Sequence, residues 1–201
     1  MVCFFTFFLI YLYLSNTYSC LAGTLTTGTD NVVGTTGNDT INASSSTFNS
    51  DDVINGGAGT DTMTVTAAGA GTVIANVSSV ETIRVTNGSA TASDTYALNM
   101  IGATGATELG SRLSSANVSF TNVQSPATVS AFGTTAGTVS ATFLNTLASG
   151  TADSVTVKVD GAATATFDVK GTGTGTFETV NVQSAGTQKN TVAFACNHNQ
   201  N

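Results

Sequence analysis

Four nine-residue segments near the N-terminus share one arrangement of turn-forming, acidic and apolar residues. They begin at residues 25, 34, 47 and 56, and in each segment the sixth residue is aspartate and the eighth is apolar. The first two segments are contiguous, as are the last two, and residues 43–46 separate the two pairs. A short period repeated in phase indicates a stack of equivalent structural units.

Each nine-residue segment divides into a turn and a strand. Residues 56–64 (GGAGTDTMT) have the fullest set of glycines, whereas the first two segments keep the fourth-position glycine as Gly28 and Gly37, and the third has Ser50 there. Glycine permits positive φ and close backbone approach, so that carbonyl oxygens can point inward. The last three residues of each segment suit a short strand whose apolar side chain faces a narrow core.

The charge distribution indicates what these turns bind. The chain has a net charge of −7, and no lysine or arginine precedes Arg84. The acidic residues before it are Asp30, Asp39, Asp51, Asp52, Asp61 and Glu81. Nucleic acid is a poor partner for such a region because phosphate contacts need basic side chains. A hard cation such as Ca²⁺ suits it better, since stacked turns can together supply the roughly six to eight oxygen ligands it takes.

The spacing of the segments predicts which aspartates lie together. If two segments complete one coil, alternate segments share a side, so Asp30 stacks with Asp52 and Asp39 stacks with Asp61. Two carboxylates about 5 Å apart repel by roughly 3 kcal/mol at an effective dielectric of about 20. We therefore expect Ca²⁺ to be required for folding, at two sites at most. The predicted metal-site residues are Asp30, Asp39, Asp52, Asp61, Gly28, Gly37, Gly57 and Gly59.

The rest of the chain has the composition of an all-β protein. Short runs with alternating apolar positions follow one another from residue 63, and charged residues make up 8% of the chain. Two of these runs, residues 80–85 (VETIRV) and 177–182 (FETVNV), repeat one pattern, which favours an edge or solvent-facing position for Glu81 and Glu178 and leaves a ligand role as the alternative. A β-solenoid and a β-sandwich both fit this alternation.

The two ends differ from the body of the chain. Residues 1–14 form an apolar and aromatic run broken only by Thr6, and this run is too short for a transmembrane helix of about 20 residues. They favour a signal peptide cleaved after Ala22, with a membrane anchor or an artefactual start as alternatives. The predicted organisation is 1–22 as this apolar segment, 23–66 as a calcium-binding β-roll, 67–195 as a β-strand-repeat region and 196–201 as a polar tail. The three cysteines imply no disulfide framework.

The runs TTGTDNVVGTTGNDTINA, DDVINGGAGTDTMTV and VSSVETIRV resemble the RTX-like repeat proteins of bacteria, which include calcium-dependent surface-layer proteins and large secreted adhesins. The resemblance is specific over residues 25–86 and loose over 87–190. It implies a short parallel β-roll followed by a β-solenoid, an extracellular or cell-surface location, and calcium-driven folding or lattice assembly.

These observations predict a non-catalytic protein. The chain has no GxSxG or HExxH motif, and its single histidine, His198, offers no general base for a serine or cysteine nucleophile. The leading function is a secreted calcium-binding structural protein of a surface layer or extracellular matrix. The alternative is the calcium-repeat fragment of an adhesin or secreted effector. The expected partners are calcium and either further copies of the chain or a cell-surface polysaccharide, with no nucleic acid and no small-molecule substrate.

Overall fold

The computed structural model describes residues 21–161 and 164–195, which form a parallel β-solenoid of about seven turns. These residues contain no α-helix, only the 3-10 turns Met100–Gly102 and Asn145–Leu147. The strands are β1 (Leu21–Thr24), β2 (Asn31–Val33), β3 (Thr40–Ser44), β4 (Val53–Asn55), β5 (Thr62–Ala67), β6 (Gly71–Ile74), β7 (Val77–Ser78), β8 (Thr82–Asn87), β9 (Thr95–Asn99), β10 (Glu108–Arg112), β11 (Asn117–Val123), β12 (Thr128–Phe132), β13 (Thr138–Phe143), β14 (Ser154–Asp160), β15 (Ala165–Gly171), β16 (Thr179–Ala185) and β17 (Val192–Phe194).

Successive coils of the chain stack to form three sheets. The large sheet has the order β1-β3-β5-β8-β10-β12-β14-β16, the second β17-β15-β13-β11-β9-β6, and the smallest β2-β4-β7. Every pairing between these strands is parallel. The prediction of a parallel β-roll continued by a β-solenoid is therefore confirmed, and the antiparallel sandwich alternative was wrong.

The core is a column of stacked apolar side chains between the sheets. Alternate residues of each strand point inward, so residues paired in register lie above one another. One such row of the large sheet runs through Ile41, Met63, Ile83, Leu109, Val129 and Val157, all fully or almost fully buried. A shift of one strand by one residue would turn its apolar side chains from the core to solvent, so the apolar pattern fixes the register between coils.

The coil length explains the segment spacing in the sequence. Thr40 pairs with Thr62, and Asn31 with Val53, so one coil in the repeat region takes 22 residues. Residues 43–46 belong to this coil, because β3 continues to Ser44 and a turn follows before the third segment. The boundary near residue 66 stays a prediction, since β5 spans it and the large sheet continues beyond it.

The predicted signal peptide and polar tail lie, wholly or almost wholly, outside the described residues. Within residues 21–161 and 164–195, no helix is long and apolar enough to cross a membrane.

The column of core side chains predicts where truncation is costly. Replacing Phe120, which is fully buried on β11, with alanine should lower the free energy of unfolding by about 3–5 kcal/mol, because it leaves a cavity. Ile101→Ala is the control, since Ile101 is 60% exposed and its truncation should change stability by only about 0.5 kcal/mol. Denaturant unfolding of both variants measures the difference. Equal effects would contradict the assigned inner and outer faces.

Candidate metal centre

The predicted aspartates occupy two corners of the solenoid, each just before a strand. Asp39 and Asp61 immediately precede β3 and β5 in the large sheet, and we call this the large-sheet corner. Asp30 and Asp52 immediately precede β2 and β4 in the smallest sheet, and we call this the small-sheet corner. The 22-residue coil thus pairs the aspartates as their spacing predicted.

Each pair is joined by a hydrogen bond from backbone to carboxylate. At the large-sheet corner the Asp39 N–H donates to Asp61 Oδ1 at 2.7 Å. At the small-sheet corner the Asp30 N–H donates to Asp52 Oδ1 at 2.8 Å. The aspartates therefore cap backbone groups of the neighbouring coil, which otherwise would lose their partners where the chain bends.

One oxygen of the Asp61 carboxylate lacks a hydrogen-bond donor because its segment has glycine where the segment one coil earlier has threonine. In the preceding coil Thr35 donates its N–H (2.5 Å) and its hydroxyl (3.0 Å) to Asp39 Oδ2. Gly57 lies one coil on from Thr35, has no hydroxyl, and donates its N–H to Asn55 Oδ1 instead. Asp61 is fully buried and its Oδ2 has no hydrogen-bond partner, a costly state for a charged group.

Electrostatics reinforce this picture at Asp61. Burial raises the pKa of the Asp61 carboxyl, the hydrogen bond from the Asp39 N–H acts in the opposite direction, and the nearby charges of Asp39 and Glu81 raise the pKa further. None of these three acids forms an ion pair in the described part of the chain. A bound cation would supply the missing positive charge.

The glycines of this corner bring backbone oxygens close to the carboxylates. A Cβ on Gly34 would lie 1.9 Å from the Gly56 carbonyl oxygen and 2.7 Å from Asp39 Oδ2. Gly57 and Gly59 have positive φ, and a Cβ on them would lie 2.2 Å from the Thr35 carbonyl oxygen and 2.6 Å from that of Gly37, respectively. Only glycine fits such positions, and carboxylate with carbonyl oxygens is the donor set that Ca²⁺ takes. The large-sheet corner therefore fits calcium.

The small-sheet corner is internally satisfied. Both Asp52 oxygens accept backbone N–H groups, Oδ1 from Asp30 and Oδ2 from Asn49 at 2.7 Å. The Asn49 side-chain amide donates to the carbonyl oxygens of Thr27 (3.3 Å), Gly28 (3.1 Å) and Thr47 (3.3 Å). The amide thus occupies the carbonyl oxygens that a cation would need.

The structure therefore divides the predicted metal residues between the two corners. Asp39, Asp61, Gly37, Gly57 and Gly59 lie at the large-sheet corner, while Asp30, Asp52 and Gly28 lie at the small-sheet corner. In residues 21–161 and 164–195, no three acidic, histidine or cysteine side chains converge on one point. A cation at either corner would depend on backbone carbonyl oxygens.

Sequence reasoning underrated Glu81. Its Oε2 accepts the Asp61 N–H at 2.7 Å, and Glu178 Oε2 accepts the Asp153 N–H at 2.8 Å in the same way. Both glutamates immediately precede a large-sheet strand, as Asp39 and Asp61 do. The signal was the shared Val/Phe-Glu-Thr pattern of residues 80–85 and 177–182. In the coils between, the same position before β10 and β12 holds the uncharged Thr107 and Ala127.

The model of the family described as RTX calcium-binding nonapeptide repeat (4 copies) matches residues 25–47 and 48–65. Residues 25–65 are therefore RTX-like repeats. These repeats coincide with the two corners described above, and they imply calcium binding. No curated protein and no solved structure matches the chain significantly.

The orphaned oxygen of Asp61 predicts an unusual response to mutation. Asp61→Asn removes the buried charge and keeps an oxygen for the Asp39 N–H. Without calcium this variant should be more stable than the wild type by about 1–3 kcal/mol, and it should lose the stabilisation by calcium. Denaturant unfolding in EGTA and in millimolar calcium measures both effects. Asp52→Asn is the matched control and should destabilise in both buffers, because both Asp52 oxygens accept N–H groups.

The raised pKa of Asp61 also predicts a pH dependence. The folded state holds this proton more tightly than the unfolded state, so in EGTA the Asp61 contribution to the free energy of unfolding should fall as pH rises from its ordinary pKa of 3.8 through the raised one. The measurement is the free energy of unfolding against pH for the wild type and for Asp61→Asn. The difference between the two curves removes the contributions that the other acids make equally to both proteins. Parallel curves for the two proteins in EGTA would contradict the assignment.

Proposed function

We propose that this protein is a secreted, non-catalytic, calcium-binding structural component of a surface layer or extracellular matrix. The observation that carries the proposal is the buried Asp61 Oδ2, which has no hydrogen-bond partner in a stack of acids without an ion pair. Calcium supplies the compensating charge when bound. Asp39, Asp61 and the carbonyl oxygens around Gly34, Gly57 and Gly59 would hold it.

An extracellular location suits this function, because RTX repeats occur in secreted proteins. Extracellular calcium modules bind at about 10⁻⁴–10⁻³ M, well above the range of cytosolic calcium sensors. The negative charge of the large-sheet corner then has no bound calcium to balance it inside the cell and acquires one outside. Folding of the RTX-like coils is thereby linked to export.

A structural role is supported by the last described coil. Within the described residues, β16 is the last strand of the large sheet and pairs with β14. On this coil Val182 is 50% exposed and Phe194, on β17, is 38% exposed. Exposed apolar side chains beside a strand edge favour contact with a further strand, and another copy of the chain would supply one.

A second candidate function, attachment to a cell-surface polysaccharide as part of an adhesin, is favoured by a groove on the outer face of the large sheet. The groove has a volume of about 270 Å³. It is lined by Arg84, Glu108, Gly110, Ser111, Arg112, Ser130, Ala131, Phe132, Lys158 and Asp160. Three of the five basic residues of the chain therefore line one groove. Mixed charges and hydroxyls around an aromatic ring suit an acidic sugar.

Calcium titration tests the leading proposal. The far-ultraviolet circular dichroism signal of β structure should increase as calcium rises through about 10⁻⁴–10⁻³ M, and this increase should be reversed on adding EGTA. Magnesium at the same concentration is the control, because it demands a stricter geometry. A spectrum that does not respond to EGTA would count against a calcium-dependent fold.

The two candidate functions are separated by what the calcium-loaded protein binds. Growth of sedimenting or sheet-like assemblies of the chain alone favours the structural role. Binding of uronic-acid oligosaccharides by the monomer, weakened about tenfold or more by Arg112→Ala with Lys158→Ala, favours attachment. Lys189→Ala is the matched control, since Lys189 is exposed and outside the groove. If the Arg112→Ala and Lys158→Ala substitutions leave oligosaccharide binding unchanged, the groove is not the binding site.

A further inference from the structure

The third coil repeats the geometry of the large-sheet corner without the repeat sequence. A Cβ on Gly34 would lie 1.9 Å from the Gly56 carbonyl oxygen, and a Cβ on Gly56 would lie 1.9 Å from the Ser79 carbonyl oxygen. Ser79 thus stands in the third coil where Gly34 and Gly56 stand in the first two. The match to the RTX calcium-binding repeat ends before it, at residue 65.

The carboxylates continue through the same three coils. Asp39 N–H donates to Asp61 Oδ1 at 2.7 Å, and Asp61 N–H donates to Glu81 Oε2 at 2.7 Å. Five positions separate Gly56 from Asp61, whereas only two separate Ser79 from Glu81. The turn of the third coil is therefore shorter, and the longer side chain of glutamate reaches the N–H group that an aspartate reaches in the coil before.

Oxygens of the second and third coils meet beside this shortened turn. The position of a Cβ on Gly56 is 1.9 Å from the Ser79 carbonyl oxygen and 2.5 Å from Asp61 Oδ2, the buried oxygen without a partner. Ser79 has φ of +50°, a left-handed conformation that is uncommon for a residue other than glycine. Glu81 Oε1 has no hydrogen bond in the described part of the chain.

We propose that Ser79 and Glu81 complete a calcium position between the second and third coils, which takes Asp61 Oδ2 as its shared ligand. The donors are the Ser79 carbonyl oxygen, the Glu81 carboxylate and the Asp61 carboxylate, a hard oxygen set suited to Ca²⁺. This inference rests on the proposed calcium binding, and it extends that function one coil beyond the recognised repeats.

A purely structural role for Glu81 is the alternative, and the chain contains a matched example of it. Glu178 accepts the Asp153 N–H just as Glu81 accepts that of Asp61. The Asp153 carboxylate, however, accepts the Gly150 N–H through Oδ2, and it is not among the buried atoms without a partner. Only the Glu81 pair in the described residues combines the cap with an orphaned buried oxygen.

The test compares Glu81→Gln with Glu178→Gln in the full chain. Isothermal titration with CaCl₂ gives the stoichiometry and affinity, and thermal unfolding in EGTA and in calcium gives the stabilisation. Glutamine keeps an oxygen for the capped N–H in both variants, so neither should be less stable than the wild type in EGTA. We expect Glu81→Gln to lose one ion or bind at least about tenfold more weakly, whereas Glu178→Gln should match the wild type.

A second variant guards against an indirect effect. Glu81→Asp keeps the charge but shortens the side chain, so it should also weaken calcium binding at this shortened turn. Wild-type binding by Glu81→Gln, or equal losses in Glu81→Gln and Glu178→Gln, would overturn the proposal while leaving calcium binding by the repeats intact. Absence of calcium binding by the wild type would instead refute the proposed function itself.

Discussion

The structure depends on how a parallel solenoid pairs its backbone where the chain turns a corner. Between strands the ladder of hydrogen bonds is continuous, but at a bend an N–H group must find another acceptor. An acidic side chain placed just before a strand supplies that acceptor to the coil below, as Asp61 does for Asp39 and Glu178 for Asp153. The same placement stacks negative charge along the corner.

The two corners of the RTX-like segment deal with this charge differently. At the small-sheet corner, Thr26 and Asn49 donate to the aspartates, and the Asn49 amide also covers three carbonyl oxygens. At the large-sheet corner, glycine replaces the threonine in the second coil, so Asp61 keeps a bare oxygen. The change from Thr35 to Gly57 thus leaves the large-sheet corner with a bare carboxylate oxygen, which the small-sheet corner lacks because Asn49 donates to Asp52.

The fold and the pairing of the aspartates could be predicted from the sequence, because both follow from the nine-residue repeat and the alternation of apolar residues. Apolar residues at the eighth position predicted the inner face, and Ile41, Ile54 and Met63 are fully buried there. The difference between the corners was hidden, since it depends on where the Asn49 amide points. For Glu81 the sequence favoured an edge or solvent-facing position over a ligand role, because the shortened turn of the third coil breaks the nine-residue phase that identified the other acids.

Thr107 and Ala127 interrupt the acidic column for two coils before it resumes at Asp153 and Glu178. The described solenoid therefore carries stacked carboxylates at this corner of its N-terminal coils, whereas the corner position before β10 and β12 is uncharged. The repulsion between stacked carboxylates is therefore confined to the coils on either side of this gap. Because each coil of a solenoid chiefly contacts its neighbours, a change of charge at Asp61 should disturb the adjacent coils more than the C-terminal ones.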